Sequence, residues 1–315
     1  MKLNKSSKVI MLGALILSLI TSCSDSKKPV DLKFGVLPVI QALPLFVAVD
    51  KGFFEEASLN VELVNFRSAM GIDIALTAGQ IAGYFGDLIT PVILKSNSTP
   101  VRIAASFTNT VHNQRMFALL LPPGAEKITV SEAAKLGIAT SSNTIVDYFI
   151  YLLLGGKETE NATDYKIVET KNIPIRLQLL LNGQFAAAVL SEPMVTFAEM
   201  NGAQVIGEDR GMPFSVTTLS FTENFLEDSP EIVKTFLQVV EKSIKYIEAN
   251  PDSVRQIMNS HVNVPKELQD SIAIPKFPEA ALPDHEQLDN VIDWLKMKQI
   301  IKTEIRYEDL IIRDN

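Results

Sequence analysis

The chain has 315 residues, of which 47% are hydrophobic and 21% are charged. This composition excludes a disordered or low-complexity protein, and the length fits one large domain or two medium ones. The net charge of −8 argues against a nucleic-acid-binding protein, because binding to phosphate backbones requires clustered Lys and Arg. The single cysteine, Cys23, excludes an intramolecular disulfide and any site that needs two thiolates.

The N-terminus has the pattern of an export signal. Three lysines precede an apolar run at 9–20, which is too short to cross a membrane but has the proportions of a secretory signal. The run ends in Ile-Thr-Ser-Cys at 20–23, which resembles a bacterial lipobox. That resemblance implies cleavage before Cys23 and attachment of lipid to its thiol, with residues 1–22 as signal peptide and 23–30 as tether. The alternative is an ordinary signal peptide with an incidental cysteine.

Beyond the tether, strand-like and helix-like stretches alternate, which predicts βαβ units around a mostly parallel sheet. The predicted strands are 32–38, 61–66, 81–85, 101–107, 116–121 and 214–220. The predicted helices are 44–54, 71–78, 87–95 with Asp87 as cap, 230–250 with Ser229 as cap, and one that begins at Pro251. We expect the helices after 221 to pack on the first lobe described below, and the stretches 107–115 and 213–219 to be hinges.

Four segments recur at a constant spacing of 104 residues, which predicts two α/β lobes of similar build. The pairs are 32–36 with 136–140, 44 onward with 148–154, 61–66 with 165–170, and the Gly-Gln segments 79–82 with 183–186. Few of the aligned side chains are identical, so we interpret the pattern as structural repetition.

Two such lobes facing each other would enclose a cleft, and ligands of open α/β sheets bind beyond the carboxyl ends of the strands. The candidate ligand-binding residues are polar or small residues in the loops at those ends. They are Gln41, Ser68, Gly86, Asp87, Ser141, Ser142, Asn143, Thr144, Asn172 and Glu192.

Each candidate has a structural alternative. The loop 141–144 offers hydroxyls and backbone N–H groups at a helix start, which suit an anion or a carbonyl, but Ser142 or Asn143 could simply cap the helix. Asp87 is suited to receive an amine or a ring N–H, or to cap the helix after it. Glu192 is suited to accept from a ligand or to brace the hinge. The acidic pair of Asp87 and Glu192 favours a neutral or cationic heterocycle over a fully ionised anion.

Other side chains would suit particular ligands. Arg67 and Arg115 would match a sulfonate or nitrate, because the guanidinium fork pairs with such anions. Tyr84 and Tyr148 would offer a flat ligand a ring to stack on. No catalytic motif, phosphate loop or metal-ligand spacing is found, so we expect neither an enzyme nor a cofactor nor a metal.

Several segments together resemble substrate-binding proteins of ABC importers in the nitrate, sulfonate, taurine and thiamine-precursor group. They are FGVLP at 34–38, ALPLFVAVDKGFFEEASLNVELVNF at 42–66, IALTAGQI at 74–81, LQLLLNGQF at 177–185, AVLSEPMVTFA at 188–198, and the Ser-Pro-Glu and Ala-Asn-Pro-Asp stretches at 229–231 and 249–252. The chain departs from the family pattern at Ala82 and Ala186, where the family often carries Asp, and at Ser191, where it usually carries Trp.

The resemblance implies a two-lobed α/β fold of the type II periplasmic-binding-protein kind, each lobe a mixed sheet flanked by helices. Lobe 1 would comprise 31–108 and 215–315, and lobe 2 would comprise 109–214. The implied protein is a monomer, held at the cell envelope of a bacterium by its lipid. It would capture a small molecule, either sulfonate- or nitrate-like or pyrimidine- or thiamine-precursor-like, by hinge closure and deliver it to an ABC permease and ATPase.

Two other classes remain open from the residues. The same fold resembles enzymes that form pyrimidines or menaquinone precursors, but the export signal argues against a cytoplasmic biosynthetic enzyme. A surface adhesion or sensing module would keep the fold without transport, and loss of the polar groups at 141–144 would have favoured it.

Overall fold

The structure, a computed structural model, describes residues 30–107, 114–212 and 217–313 and contains two five-stranded sheets. The strands are β1 (Val30–Val36), β2 (Leu59–Asn65), β3 (Gly83–Gly86), β4 (Val101–Phe107), β5 (Phe117–Leu121), β6 (Ile138–Thr140), β7 (Ile167–Glu169), β8 (Ala187–Ser191), β9 (Gln204–Glu208) and β10 (Thr217–Thr222). The signal peptide, Cys23 and nearly all of the tether lie outside the described residues, as do most of the two predicted hinges.

Helices flank both sheets. They are α1 (Leu43–Asp50), α2 (Phe53–Glu56), α3 (Ala69–Thr77), α4 (Ile89–Ser96), α5 (Val130–Leu136), α6 (Ile145–Leu153), α7 (Ile173–Leu181), α8 (Met194–Met200), α9 (Glu223–Asp228), α10 (Pro230–Ala249), α11 (Pro251–His261), α12 (His285–Met297) and α13 (Tyr307–Leu310). Short 3-10 turns occur at Ile40–Ala42, Gly156–Glu158 and Lys266–Leu268. No helix within the described ranges is long and apolar enough to span a bilayer.

The two sheets have equivalent strand orders, β2-β1-β3-β10-β4 and β7-β6-β8-β5-β9. In each sheet the first three strands are parallel, and the fourth, β10 or β5, is antiparallel to both of its neighbours. Along the chain, β5 comes directly after β4 of the other sheet and β10 comes directly after β9 of the other sheet, so the chain passes between the sheets twice. The predicted two-lobed α/β architecture is therefore confirmed, and we call the lobe of β1 the first lobe and that of β6 the second lobe.

The 104-residue spacing is a repeat of structure. Helix α7 begins and ends 104 residues after α3, and β8 begins 104 residues after β3. Each of the two helices ends near a glycine in the left-handed region, with φ of 67° at Gly79 and 68° at Gly183. Since a left-handed turn favours glycine, the same residue ends the same helix in both lobes.

Two details of the predicted helices are wrong. The helix expected over 44–54 is broken into α1 and α2 at Gly52, whose φ of 69° cannot continue a helix. Ser229 precedes α10 as expected, but its side chain makes no capping hydrogen bond.

The C-terminal helices contact both lobes, whereas the sequence predicted packing on the first lobe alone. Helices α10 and α11 pack on α1 as expected. Helix α12 instead reaches the second lobe, where the fully buried Trp294 packs against the rings of Tyr148 and Tyr151 on α6. The ammonium of Lys298, at the end of α12, also lies 2.7 Å from the buried carboxylate of Asp147 on α6. The end of the chain therefore ties the second lobe to the rest of the molecule.

Candidate ligand-binding cleft

A cavity of about 320 Å³ lies between the lobes, and we call it the main chamber. Its walls are the loops at the carboxyl ends of β1, β2 and β3 in the first lobe and of β6, β7 and β8 in the second. A second chamber of about 310 Å³ adjoins it and shares five lining residues with it, Leu37, Val39, Arg67, Ile173 and Ser191. Each chamber has the size of a small-molecule site.

The sequence-predicted site residues all line one chamber or the other. Gln41, Ser68, Gly86, Asp87, Ser141, Ser142, Asn143 and Thr144 line the main chamber. Asn172 and Glu192 line the second chamber. They come together because each lies at or after the carboxyl end of a parallel strand, and those ends share one edge of each sheet.

Asp87 bridges the two lobes. One carboxylate oxygen, Oδ1, accepts hydrogen bonds from the backbone N–H groups of Ile89 and Thr90 at 3.0 and 2.9 Å. The other, Oδ2, accepts from the N–H of Ile145 in the second lobe at 2.9 Å. Burial raises the pKa of Asp87, while these donors lower it and so favour the charged form. Asp87 therefore caps α4, as predicted, and also the first N–H of α6.

The loop before α6 is held by bonds other than the predicted ones. Neither Ser142 nor Asn143 caps α6 with its side chain. The hydroxyl and the N–H of Ser142 donate to the carboxylate of Glu169, and the N–H of Asn143 donates to Asp147 at 2.7 Å. The cap prediction was wrong because the acceptors come from β7, from α6 itself and from the other lobe.

Three further predicted residues make hydrogen bonds within the protein. The Ser68 hydroxyl caps α3 by accepting from the N–H of Gly71 at 3.3 Å, and the Asn172 side chain caps α7 by accepting from the N–H of Ile175 at 3.1 Å. Glu192 accepts from Arg115 Nε at 2.9 Å, which supports the bracing alternative for Glu192.

The sequence suggested two arginines, Arg67 and Arg115, as partners for a sulfonate or nitrate. Only Arg67 lines a chamber, and its side chain is exposed. Arg115 lines neither chamber, because its guanidinium is paired with Glu192 at 2.8 Å and Glu199 at 2.6 Å. Tyr148 lines neither chamber and packs against Trp294 instead, whereas Tyr84 lies in the wall of the main chamber.

Arg176 is a site residue that the sequence analysis missed. It lies on α7, is 2% exposed, and lines the main chamber. Its guanidinium donates to the carbonyls of Thr170 and Val189, both at 2.9 Å, and to the hydroxyl of Ser141 at 2.6 Å. Burial lowers the pKa of Arg176 to about 10, so it stays charged at neutral pH. In the sequence, the only sign of a buried charge here was a single arginine in the otherwise largely apolar stretch of α7.

Asp73 was also missed. It lies on α3 and lines the main chamber, and its Oδ1 is buried with no hydrogen-bond partner among the described residues. Burial, and then the charge of Asp87, raise the pKa of Asp73 from 3.8 to about 7. No local sequence signal marks it, because its environment is set by its neighbours in space.

The chain matches a known protein family. A model of the NMT1-like family matches residues 25–261, which is most of the chain. The chain belongs to the NMT1-like family. The resemblance seen in the sequence to the nitrate- and sulfonate-binding group is thereby confirmed. No curated protein matches the chain.

Solved structures share the fold of this family member at low sequence identity. The alkanesulfonate-binding protein SsuA from Xanthomonas axonopodis pv. citri, bound to MOPS, has a TM-score of 0.78 at 13% identity, covering 91% of this chain and 99% of its own. The aliphatic sulphonate binding protein SsuA from Escherichia coli gives 0.75 at 12%, covering 91% and 93%. The nitrate-binding protein NrtA from Synechocystis PCC 6803 gives 0.65 at 15%, covering 82% and 75%. The periplasmic-binding-protein fold is common to all of them.

The described residues hold no metal site. They contain no group of three or more His, Cys, Asp or Glu side chains placed to hold a metal ion.

Proposed function

We propose that this NMT1-like protein is the lipid-anchored solute-binding component of an ABC importer. It captures a small organic molecule in the main chamber and delivers it to a permease, with an ATPase as the third component. The single observation that carries this proposal is the chamber itself, which both lobes line at their strand ends. The solved neighbours that share the fold are named as sulfonate- and nitrate-binding proteins, and this supports a binding function over catalysis.

The boundaries of the mature protein form part of the proposal. Residues 1–22 are the signal peptide, Cys23 carries the lipid, and 23–30 form the tether. Lobe 1 comprises 31–108 and 215–315, and lobe 2 comprises 109–214. The lipid places a monomer at the cell envelope, and its acyl chains supply the membrane affinity, because an acidic chain has little attraction to anionic lipid.

Capture would occur by closure of the lobes over the ligand. Two contacts already join the lobes, the bond from Ile145 N–H to Asp87 and the 3.7 Å approach of Lys171 Nζ to Met70 Sδ, and we assign both to the closed form. A ligand that touches both walls binds the closed form more tightly than the open one, and it shifts the population by that difference in affinity. The closed form is then the shape that the permease recognises.

The experiment that tests this function has two arms. In the first, residues 24–315 are screened by thermal shift against sulfonates, nitrate, taurine, pyrimidines, riboflavin and thiamine precursors, and a true ligand raises the melting temperature by mass action. A hit should also reduce the radius of gyration in solution scattering. In the second, the full chain should enter the detergent phase of a Triton X-114 separation, whereas Cys23→Ala should stay in the aqueous phase. A chain that binds none of the panel and stays aqueous contradicts the proposal.

A further inference from the structure

The wall that the first lobe contributes to the main chamber carries oxygen atoms that receive no hydrogen bond. They are Asp73 Oδ1, Gln41 Oε1 and Thr217 Oγ1, each buried and each without a partner among the described residues. Gln41 is 3% exposed and Thr217 is 5% exposed, so bulk water does not reach these side chains freely. Native proteins leave few such atoms unpaired, because a buried polar atom without a partner has lost its hydrogen bonds to water and gained none in return. The oxygens of the Asp73 carboxylate and the Gln41 amide can only accept, and the Thr217 hydroxyl can accept as well as donate, so a ligand that supplies donors can satisfy all three.

None of the three cations that line the chamber forms an ion pair with Asp73 among the described residues. Arg176 already donates to two carbonyls and a hydroxyl of the second lobe. Arg67 is exposed, and Lys171 lies between the lobes with its Nζ at Met70. The Asp87 carboxylate adds a second negative charge, which interacts electrostatically with Asp73. An anionic ligand at Asp73 would lie near two carboxyl groups, those of Asp73 and Asp87. The buried cation of the chamber, Arg176, already uses its donors on the second lobe.

Much of the remaining surface of the main chamber is apolar. Side chains of both lobes contribute to it, among them Leu37, Ile72, Phe85, Phe117 and Ile145. A molecule that fits has a donor-bearing head at the acidic wall and a hydrophobic or aromatic body between these side chains.

We propose that the main chamber binds a protonated nitrogen base, an organic cation with an amidinium or ammonium head and an apolar body, and that it rejects sulfonates and nitrate. This inference rests on the proposed solute-binding function and names the ligand class for it. The head donates to the Asp73 carboxylate and to the oxygens of Gln41 and Thr217. The ion pair with Asp73 supplies the charge selectivity.

Three probes of nearly the same shape test the head group. Benzamidine, benzoate and benzenesulfonate share a phenyl body and differ in whether the head donates or accepts. Calorimetry and thermal shift on residues 24–315 should give binding for benzamidine and none for the two anions. Asp73→Asn should weaken benzamidine binding by at least about tenfold, because a charge-assisted hydrogen bond is lost. Asp270→Asn, at an exposed carboxyl outside both chambers, is the matched control and should change nothing.

A pH series separates a direct contact from a structural role of Asp73. Benzamidine binding by the wild type should tighten severalfold between pH 6 and pH 8 as Asp73 ionises, and the Asp73→Asn variant should show no such change. The other charged groups lining the chamber are Asp87, Arg67, Lys171 and Arg176, and all of them are retained in the variant. The melting temperature of the ligand-free variant shows whether it has folded.

The outcomes of these experiments separate the proposed ligand class from the proposed solute-binding function. Benzenesulfonate binding more tightly than benzamidine overturns the cationic class and leaves solute binding intact. Benzamidine binding that Asp73→Asn does not weaken overturns the assigned contact. Failure of these probes together with every member of the broader panel counts against the proposed function itself.

Discussion

At the scale of single residues, Asp73 makes the stability of the ligand-free protein depend on pH. Its pKa is about 7 in the folded state against an ordinary 3.8. Between those values the folded protein keeps a proton that the unfolded chain has released. We therefore expect its contribution to the free energy of unfolding to fall as the pH rises from about 4 to about 7, by at most about 1.4 kcal/mol per pH unit. Urea unfolding of wild type and Asp73→Asn across this range measures the difference in slope.

Comparison of the Asp73→Asn variant with the wild type isolates the contribution of this one carboxyl group. Other carboxyl groups titrate in both proteins, so only the difference between the two curves reports on Asp73. The Asp270→Asn variant should follow the wild type throughout. Parallel curves for wild type and Asp73→Asn would mean that the carboxyl is hydrated well enough to ionise normally.

At the scale of elements, the two lobes use the same turn after equivalent helices. Gly79 follows α3 and Gly183 follows α7, both in the left-handed region, and a Cβ at either position would meet no heavy atom within 4 Å. The cost of Gly79→Ala or Gly183→Ala is thus a backbone cost, which we expect to be about 1 kcal/mol in each case. Urea unfolding should show nearly equal losses, and Thr77→Ala, at the exposed end of α3, should stay within about 0.5 kcal/mol of wild type. Unequal losses would contradict the equivalence of the two turns.

At the scale of the whole molecule, α12 connects the end of the chain to the second lobe. Lys298 pairs at 2.7 Å with Asp147, whose side chain is fully buried, and Trp294 packs on the same helix α6. Lys298→Met would leave that carboxylate without its cation. We expect a loss of about 3 kcal/mol in the free energy of unfolding, together with faster amide hydrogen exchange in α6. The exposed Lys302→Met is the control, and an equal effect in both variants would show that the pair contributes nothing.

Much of the fold was predictable because its signals are local. Strands and helices follow from alternation of apolar runs with Gly and Pro, and the equal spacing of four segments predicted two similar lobes. The placement of the candidate residues around the chambers was predictable for a related reason: each lies at or after a strand end, and parallel strands place their carboxyl ends together. The helix break at Gly52 was not predicted, since the glycine is one residue within a run that otherwise favours helix.

The roles of those residues were less predictable. Asp87 caps a helix 58 positions further along the chain as well as its own, and Arg115 pairs with Glu192 away from both chambers. Asp73 and Arg176 gave no strong signal, because burial and partners determine what a charged group does. The groups that act on each of them lie on other elements of the same lobe.

The amino-acid sequence by itself determined the two-lobed α/β architecture, the repeat and the family, since these depend on residues a few positions apart or on ordered motifs. Only the tertiary structure decided which polar groups of the cleft are already satisfied and which remain unpaired. The physical reason is that hydrogen bonding and desolvation are set by neighbours in space, which for Asp73, Asp87 and Arg176 come from other elements of the fold.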